Sequence, residues 1–257
     1  MNMEKREYPI LEFDTAKEAI IEPDKVHKTR NLSEYCVPCF FQDVIGKLKK
    51  EGELELKTNM KSEMGLLPIY EINYRGQKIN VYHPGIGASF AAGTLEELIA
   101  LGGRKFIACG GAGVLDKEIE VGHLIIPDSA VRDEGASYHY LPPSREVKAE
   151  QEVIDVISET FEEKQIEYTI GKTWSTAGLY RETAAKINLR KSEGCIAVEM
   201  ETAAFLSVAK FRDVKFGQIL YGGDDVSGIE WDSRDWANRK KIREKIFWLT
   251  VESCIKL

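Results

Sequence analysis

Lys105-Phe106-Ile107-Ala108-Cys109, followed at once by Gly110-Gly111-Ala112-Gly113, is the stretch that decides the fold. A continuous apolar run this short, closed by glycines, reads as a buried strand at the centre of a sheet. Working outward, Ile79–His83 reads as a second strand, broken by Gly85 and Gly87. His123–Pro127, the segment around Ile196 and Val198, and Phe216–Tyr221 read as further strands. Helical patterns alternate with them. Thr94-Leu95-Glu96-Glu97 has the form of a capping box, opening a helix through Ala100 that Gly102 and Gly103 end. Gln151–Phe161 sets Val153, Ile154, Ile157 and Phe161 on one helical face. Thr202–Phe211 is an Ala-rich helix, and Asp235–Ile255 a long amphipathic one. Strand and helix in alternation imply an α/β sandwich with a mostly parallel sheet. In such sheets ligands gather at the carboxyl ends of strands, and chemistry is expected there.

The chain's 257 residues suit one large domain, read as 1–257, better than two small ones. Residues 1–60 are its charged, weakly periodic part, with short helices expected within Leu32–Lys50. A formal charge of −7 argues against nucleic acid as the partner, because phosphate contacts need clustered Lys and Arg. It leaves room for a small anion in a local positive pocket. No apolar run approaches the ~18–20 residues of a membrane span, so no membrane partner is expected. The N-terminal MNMEKREYPI has no apolar core or cleavage signal, and the expected compartment is the cytoplasm. The five cysteines stand in apolar contexts suited to buried, reduced thiols. Cys36 and Cys39 form a C-x-x-C without the second ligand pair of a zinc site and without redox-motif flanks. They read as half-buried loop thiols, and no metal is expected.

Three clusters carry candidate chemistry. Glycines at 110, 111 and 113 let a backbone approach a ligand and point N–H groups at an anion, although glycine-rich strand ends are as often plain tight turns. In Val198-Glu199-Met200-Glu201-Thr202-Ala203-Ala204, two carboxylates flank a methionine where an apolar strand gives way to a helix. Such a carboxylate can accept both hydroxyls of a ribose while the methionine packs on the sugar; alternatively both only cap the helix start. Gly222-Gly223-Asp224-Asp225 closes the strand F-G-Q-I-L-Y. A strand-end Asp held protonated is a general acid, and a solvated turn is the commoner fate of a D-D pair.

From about Ile79 to Tyr140 the sequence resembles the uridine phosphorylase branch of the nucleoside phosphorylase family. The matching stretches are H-P-G-I-G at 83–87, E-E-L-I-A-L-G at 96–102, E-V-G-H-L-I-I at 120–126 and V-R-D-E-G-A-S-Y-H-Y at 131–140. V-E-M-E-T-A-A at 198–204 matches the family's ribose-binding motif, and the likeness extends over roughly 70–250. The resemblance implies a three-layer sandwich around a central mixed, mostly parallel twisted sheet flanked by helices. It implies that Glu201 binds the ribose hydroxyls with Met200 against the sugar and Glu199, Gly87, Gly110 and Gly111 beside them. Asp224 falls where purine-cleaving members place the Asp that protonates the departing base. W-S-T-A-G-L-Y-R-E-T at 174–183, with Thr176, Tyr180 and Arg181, would line the base pocket. Tyr138 and His139 are placed toward a neighbouring subunit's site. The implied reaction takes a ribonucleoside and inorganic phosphate to free base and ribose 1-phosphate, with no other cofactor, in a homo-oligomer (dimer or hexamer).

Departures from the family cluster at the phosphate end. Against the family's G-D-P-x-R, this chain reads I-I-E-P-D-K-V-H-K at 20–28, with Pro23 and Asp24 near the right place and His27 for the Arg. A second family Arg falls at Ala108, and a neighbouring hydroxyl residue at Gly111. Losing two Arg forks removes bidentate phosphate recognition, for which Lys61, Lys28 and Arg30 are candidate replacements. Nucleosidases of the superfamily also lack that Arg and use water. The uracil-reading insertion is absent, and Asp224 tilts the reading toward purines. Alternatives left open are a nucleoside hydrolase and a catalytically silent nucleoside-binding protein. A dinucleotide fold is discarded, since the G-x-G begun at Gly85 meets Phe90 where its third glycine belongs.

Overall fold

The computed structural model describes residues 4–26 and 32–257. A 3-10 turn at Pro9–Leu11 and the short helix α1 (Pro23–Val26) lead to strand β1 (Tyr35–Pro38). Helix α2 (Gln42–Glu51), strands β2 (Glu55–Ser62), β3 (Gly65–Tyr74) and β4 (Gln77–Tyr82), and helix α3 (Ala88–Leu101) follow. Then come β5 (Lys105–Val114), β6 (Leu124–Asp133) and the short β7 (Glu146–Lys148). The rest alternates: α4 (Gln151–Glu163), β8 (Tyr168–Thr176), α5 (Ala184–Ser192), β9 (Cys195–Glu199), α6 (Thr202–Arg212), β10 (Lys215–Asp225) and α7 (Lys240–Lys256).

β5 is the central strand that its apolar run predicts. It lies parallel to β1 on one side and to β10 on the other, with Phe106 opposite both Cys36 and Phe216. β1 is parallel to β4, and antiparallel β3 and β2 carry the sheet to its edge. From β10 the sheet passes to antiparallel β6, then in parallel to β8 and β9, and β9 returns antiparallel to β5. Five strands, β5, β10, β6, β8 and β9, thereby close a ring. The result is a mixed sheet flanked by helices on both faces. Alternate residues of β5 show why: Ile107 and Cys109 pack with α2, α4 and α7, whereas Phe106 and Ala108 pack with α3 and α6. On α4 the buried side chains are Val153, Ile154, Ile157 and Phe161, as the periodicity predicts, joined by Thr160. Burying each large apolar side chain of that face contributes roughly 1.5–3 kcal/mol.

Four local expectations are corrected. Thr94 does not open a helix: α3 begins at Ala88 with Gly87 as its N-cap. The Thr94 hydroxyl instead donates to the carbonyls of Pro84 and Ala91, both at 3.0 Å. Ala91 and Ala92 are strong helix formers, so the helix starts well before the apparent box. Part of Leu32–Lys50 is the buried strand β1, because a four-residue apolar run is too short for periodicity to separate strand from helix. Cys36 and Cys39 accordingly lie fully buried on and just after β1, and all five cysteines are buried and free. Finally, α7 starts at Lys240, after a 3-10 turn at Trp236–Asn238; Arg234 and Asp235 have φ of 48° and 51°, which no helix accommodates.

Candidate active site

The junction of β9 and α6 holds two buried carboxylates with opposite surroundings. Glu199 is fully supplied with donors. Its Oε2 accepts the backbone N–H of Glu201 at 2.7 Å and of Thr202 at 2.6 Å, capping the start of α6. Its Oε1 accepts the hydroxyls of Ser175 at 2.5 Å and Thr173 at 3.4 Å. The Ser175 hydroxyl in turn accepts the N–H of Ala203 at 2.8 Å, tying β8 to the helix. Glu201 is only 6% exposed and is served by backbone alone among the described residues, by the N–H of Gly87 at 2.6 Å and by that of Met200. Burial and then the charge of Glu199 push its carboxyl up to about 8. Burial raises Glu199 as well, but hydroxyl and helix-start donors oppose the rise, so the charge of the pair rests on Glu199. Met200, half-buried, stands between them.

The loop from β4 to α3 brings Gly87 to Glu201. Gly85 and Gly87 have φ of 83° and 90°, and a Cβ on Gly85 would lie 1.8 Å from the Phe90 ring, so only glycine fits there. His83 accepts the Gly85 N–H at 3.0 Å, and burial lowers its proton affinity.

The glycines after Cys109 do not form a turn. β5 runs on to Val114, paired with β10 through Gly111 opposite Tyr221. Rings press on them instead: a Cβ on Gly110 would meet Phe40 at 3.1 Å, and one on Gly111 would meet Tyr221 at 3.0 Å. The loop after β1, Cys39–Phe41, is therefore the segment beside Gly110, with the Phe40 N–H bonded to the Cys109 carbonyl at 3.0 Å. Sequence reasoning missed Phe40. The region around Pro23 and Asp24 lies elsewhere, against α3, in a cavity of about 120 Å³ shared with Glu22, Glu96, Arg104 and Arg212. His27, Lys28 and Arg30 fall outside the described residues. Lys61 is exposed on β2, the edge strand, with β3, β4 and β1 between it and β5.

At the other end, β10 closes on Asp224, whose Oδ2 accepts the indole N–H of Trp231 at 2.7 Å. Asp225 turns away to Arg234 and to the Ser227 N–H at 2.7 Å, which hold its carboxyl low although burial opposes them. In the β8–α5 loop Glu182 is half-buried, and burial, then the charge of Asp224, push its carboxyl up to about 7. Glu182 had no signal of its own in the sequence; one residue before Thr183, the N-cap of α5, it looks like an ordinary helix-start acid. In the same loop Thr176 is buried and accepts the Gly178 N–H at 3.2 Å, whereas Tyr180 and Arg181 are exposed. Tyr138 is turned onto Arg132, whose guanidinium sits 4.3 Å from its ring centre, and His139 is exposed.

One mixed-sheet sandwich thus sets a buried carboxylate pair at a helix start and Asp224 at the end of another strand. The chain belongs to the phosphorylase superfamily, whose family model matches residues 34–246. It is 26% identical over 161 residues to a guanosine phosphorylase of Halorubrum lacusprofundi, covering 62% of this chain and 67% of that one. In fold it is similar to a uridine phosphorylase of Vibrio fischeri ES114, with a TM-score of 0.73 and 24% identity over 88% of this chain and 94% of that one. It is similar also to an AMP nucleosidase of Bacteroides thetaiotaomicron, with a TM-score of 0.70 and 19% identity over 86% of this chain and 87% of that one.

Proposed function

We propose that this protein cleaves the N-glycosidic bond of a ribonucleoside, with inorganic phosphate as the attacking group, giving free base and ribose 1-phosphate. The observation that carries the reading is Glu201, a buried carboxyl served among the described residues only by the backbone of Gly87 and Met200, with no side-chain donor. A ribose offering two vicinal hydroxyls supplies the donors this group lacks, and Met200 gives the sugar an apolar neighbour. Glu199 holds the helix start that aims Glu201, and is read as a positioning residue. Cleavage builds positive charge on the sugar and negative charge on the base, and carboxyl groups at both ends address both. The guanosine-cleaving relative and the acid at Asp224 favour a purine. Exposed His139 suits completion of the site across a subunit contact in a homo-oligomer.

One observation favours a second reading, hydrolysis by water. Beside Gly110 and Gly111 stand the rings of Phe40 and Tyr221, and Ala108 is fully buried. The cation at those rings, Arg243, already bonds the Tyr221 hydroxyl at 3.2 Å and Asp43 at 3.3 Å, which leaves a phosphate dianion poorly served there. Base release from a nucleoside panel, with and without inorganic phosphate, decides. Strict phosphate dependence with ribose 1-phosphate as product supports the phosphorylase. Equal release to free ribose makes the protein a hydrolase, and no release from any nucleoside overturns both.

A further inference from the structure

Two indoles in this chain donate to an aspartate, and they are set differently. Trp174 is fully buried, and its N–H reaches Asp133 at 3.0 Å alongside Lys186 and Arg190 at 3.4 and 3.3 Å. That bond belongs to a packed, charge-paired cluster. Trp231 is exposed, and its N–H reaches Asp224 Oδ2 at 2.7 Å from the loop that follows β10. The base of that loop is pinned. Asp225 and Asp232 exchange both backbone bonds, at 2.8 and 3.0 Å, and the Val226 N–H reaches the Val114 carbonyl at 3.1 Å. Arg234 pairs with Asp225 and donates to the Ile119 carbonyl at 2.7 Å. The tip, residues 228–230, is exposed, Ile229 completely so. Trp231 thus presents a large apolar ring to solvent from a firm footing, and one hydrogen bond sets its direction.

Asp224 also lies beside the sugar motif. Its Oδ1 is 3.6 Å from where a Cβ on Gly113 would stand, and Val198 Cγ1 is 3.0 Å from the same point. Gly113 pairs with Val198 across β5 and β9, and Val198 runs directly into Glu199 and Glu201. One oxygen of Asp224 is therefore turned to the sheet. The one that remains for a ligand, Oδ2, is the oxygen that Trp231 holds.

Resting on the reading that a nucleoside binds with its sugar at Glu201, we propose that Trp231 determines base preference. Its indole N–H and a purine base compete for Asp224 Oδ2, and the indole displaced from that oxygen packs on the face of the base. A base that takes Oδ2 replaces a charge-assisted bond. Stacking on the freed ring offsets that loss, since base–aromatic stacking contributes roughly 5- to 150-fold in affinity. The fused rings of a purine offer more of such a face than the single ring of a pyrimidine, so the exchange favours purines.

Free hypoxanthine, adenine and uracil test this without turnover, by nitrogen-15 NMR of protein labelled at its four tryptophans. The indole resonance that vanishes in Trp231→Phe reports Trp231. On saturation with hypoxanthine or adenine it should leave its hydrogen-bonded position while the Trp174 resonance stays. Calorimetry separates the two roles of the side chain. Trp231→Phe keeps a ring and removes the competitor, so the purine Kd should be unchanged or a few-fold lower. Trp231→Ala removes the ring as well and should raise the purine Kd roughly tenfold above that of the Phe variant, with a smaller rise for uracil. An indole resonance unmoved in purine-saturated protein, or equal purine Kd in the two variants, overturns the competition. A preference for purines over uracil that survives in Trp231→Ala overturns the role in base choice. If neither purine binds, this assignment and the nucleoside reading fall together. If purines bind and move the indole while no nucleoside is cleaved, the assignment stands and the cleavage reading falls.

Discussion

The molecule carries carboxylates in two regions, and they are held by different parts. At the sugar end, Glu199 and Glu201 sit where β9 becomes α6, under a tenth exposed, and Glu199 is supplied by two backbone N–H groups and two hydroxyls. At the base end, Asp224 and Glu182 sit at a strand end and in a loop, and a single indole N–H anchors Asp224. At the sugar end Glu199 keeps the charge because donors surround it, and Glu201, with backbone donors alone, is the member with capacity to spare for a substrate. The two ends differ in rigidity. Donors on helix and sheet hold Glu199, and through it the start of α6 that carries Glu201, as a clamp on a sugar requires, whereas Glu182 and the Trp231 that holds Asp224 lie in loops.

The largest effect expected from breaking this comparison is at Glu201. Glu201→Ala should lower kcat/KM about 10³-fold, roughly 4 kcal/mol of lost transition-state binding, with thermal unfolding little changed. Unchanged turnover would remove Glu201 from the sugar site. Glu199→Ala should act mainly on the fold. It strands buried donors at the start of α6 and should cost about 2–4 kcal/mol in urea unfolding. A variant of full stability and impaired substrate binding would make Glu199 a ligand instead. A smaller effect concerns pH. Burial raises Glu201 to about 8, so its contribution to stability is fully present below the ordinary carboxylate value and is lost as pH rises through about 8. The melting temperature should fall between mildly acidic and mildly alkaline pH, and Glu201→Gln should flatten that fall; a parallel curve for the variant would assign the proton elsewhere. Smallest is Trp231→Phe, a change at a side chain 65% exposed. It removes the donor to Asp224, so purine turnover should change a few-fold with no loss of stability, and unchanged turnover would show that the indole does not position Asp224.

Long elements were readable in the sequence, because burial follows their period. α4 shows its apolar face, β5 its continuous run, and V-E-M-E-T-A-A its strand-to-helix change. What escaped depended on tertiary partners. Whether Gly110 and Gly111 cradle an anion or admit rings is decided by Phe40 and Tyr221, which come from a distant loop and strand. Thr94 resembles a cap until the helix around it is seen to start earlier at Gly87. Glu182 stands out only once the fold half-buries it in the β8–α5 loop, which raises its carboxyl. The resemblance covers the sugar motif closely and the phosphate end loosely, and that is also where Pro23 and Asp24 proved to lie against α3.

The ring formed by β5, β10, β6, β8 and β9 also bears on how the protein behaves in a crowded solution. In a closed ring every strand has two neighbours, and among the described residues only β2 and the three-residue β7 have a single neighbouring strand. β2 reads E-L-K-T-N-M-K-S, with Lys57 and Lys61 along its length and Lys57 bridged to Glu55 and Glu71 at 3.4 and 3.2 Å. Desolvating those charges would oppose the addition of another strand. The longer open border of this sheet is thereby a charged strand, which opposes edge-to-edge pairing even where the sheet's interior is strongly apolar.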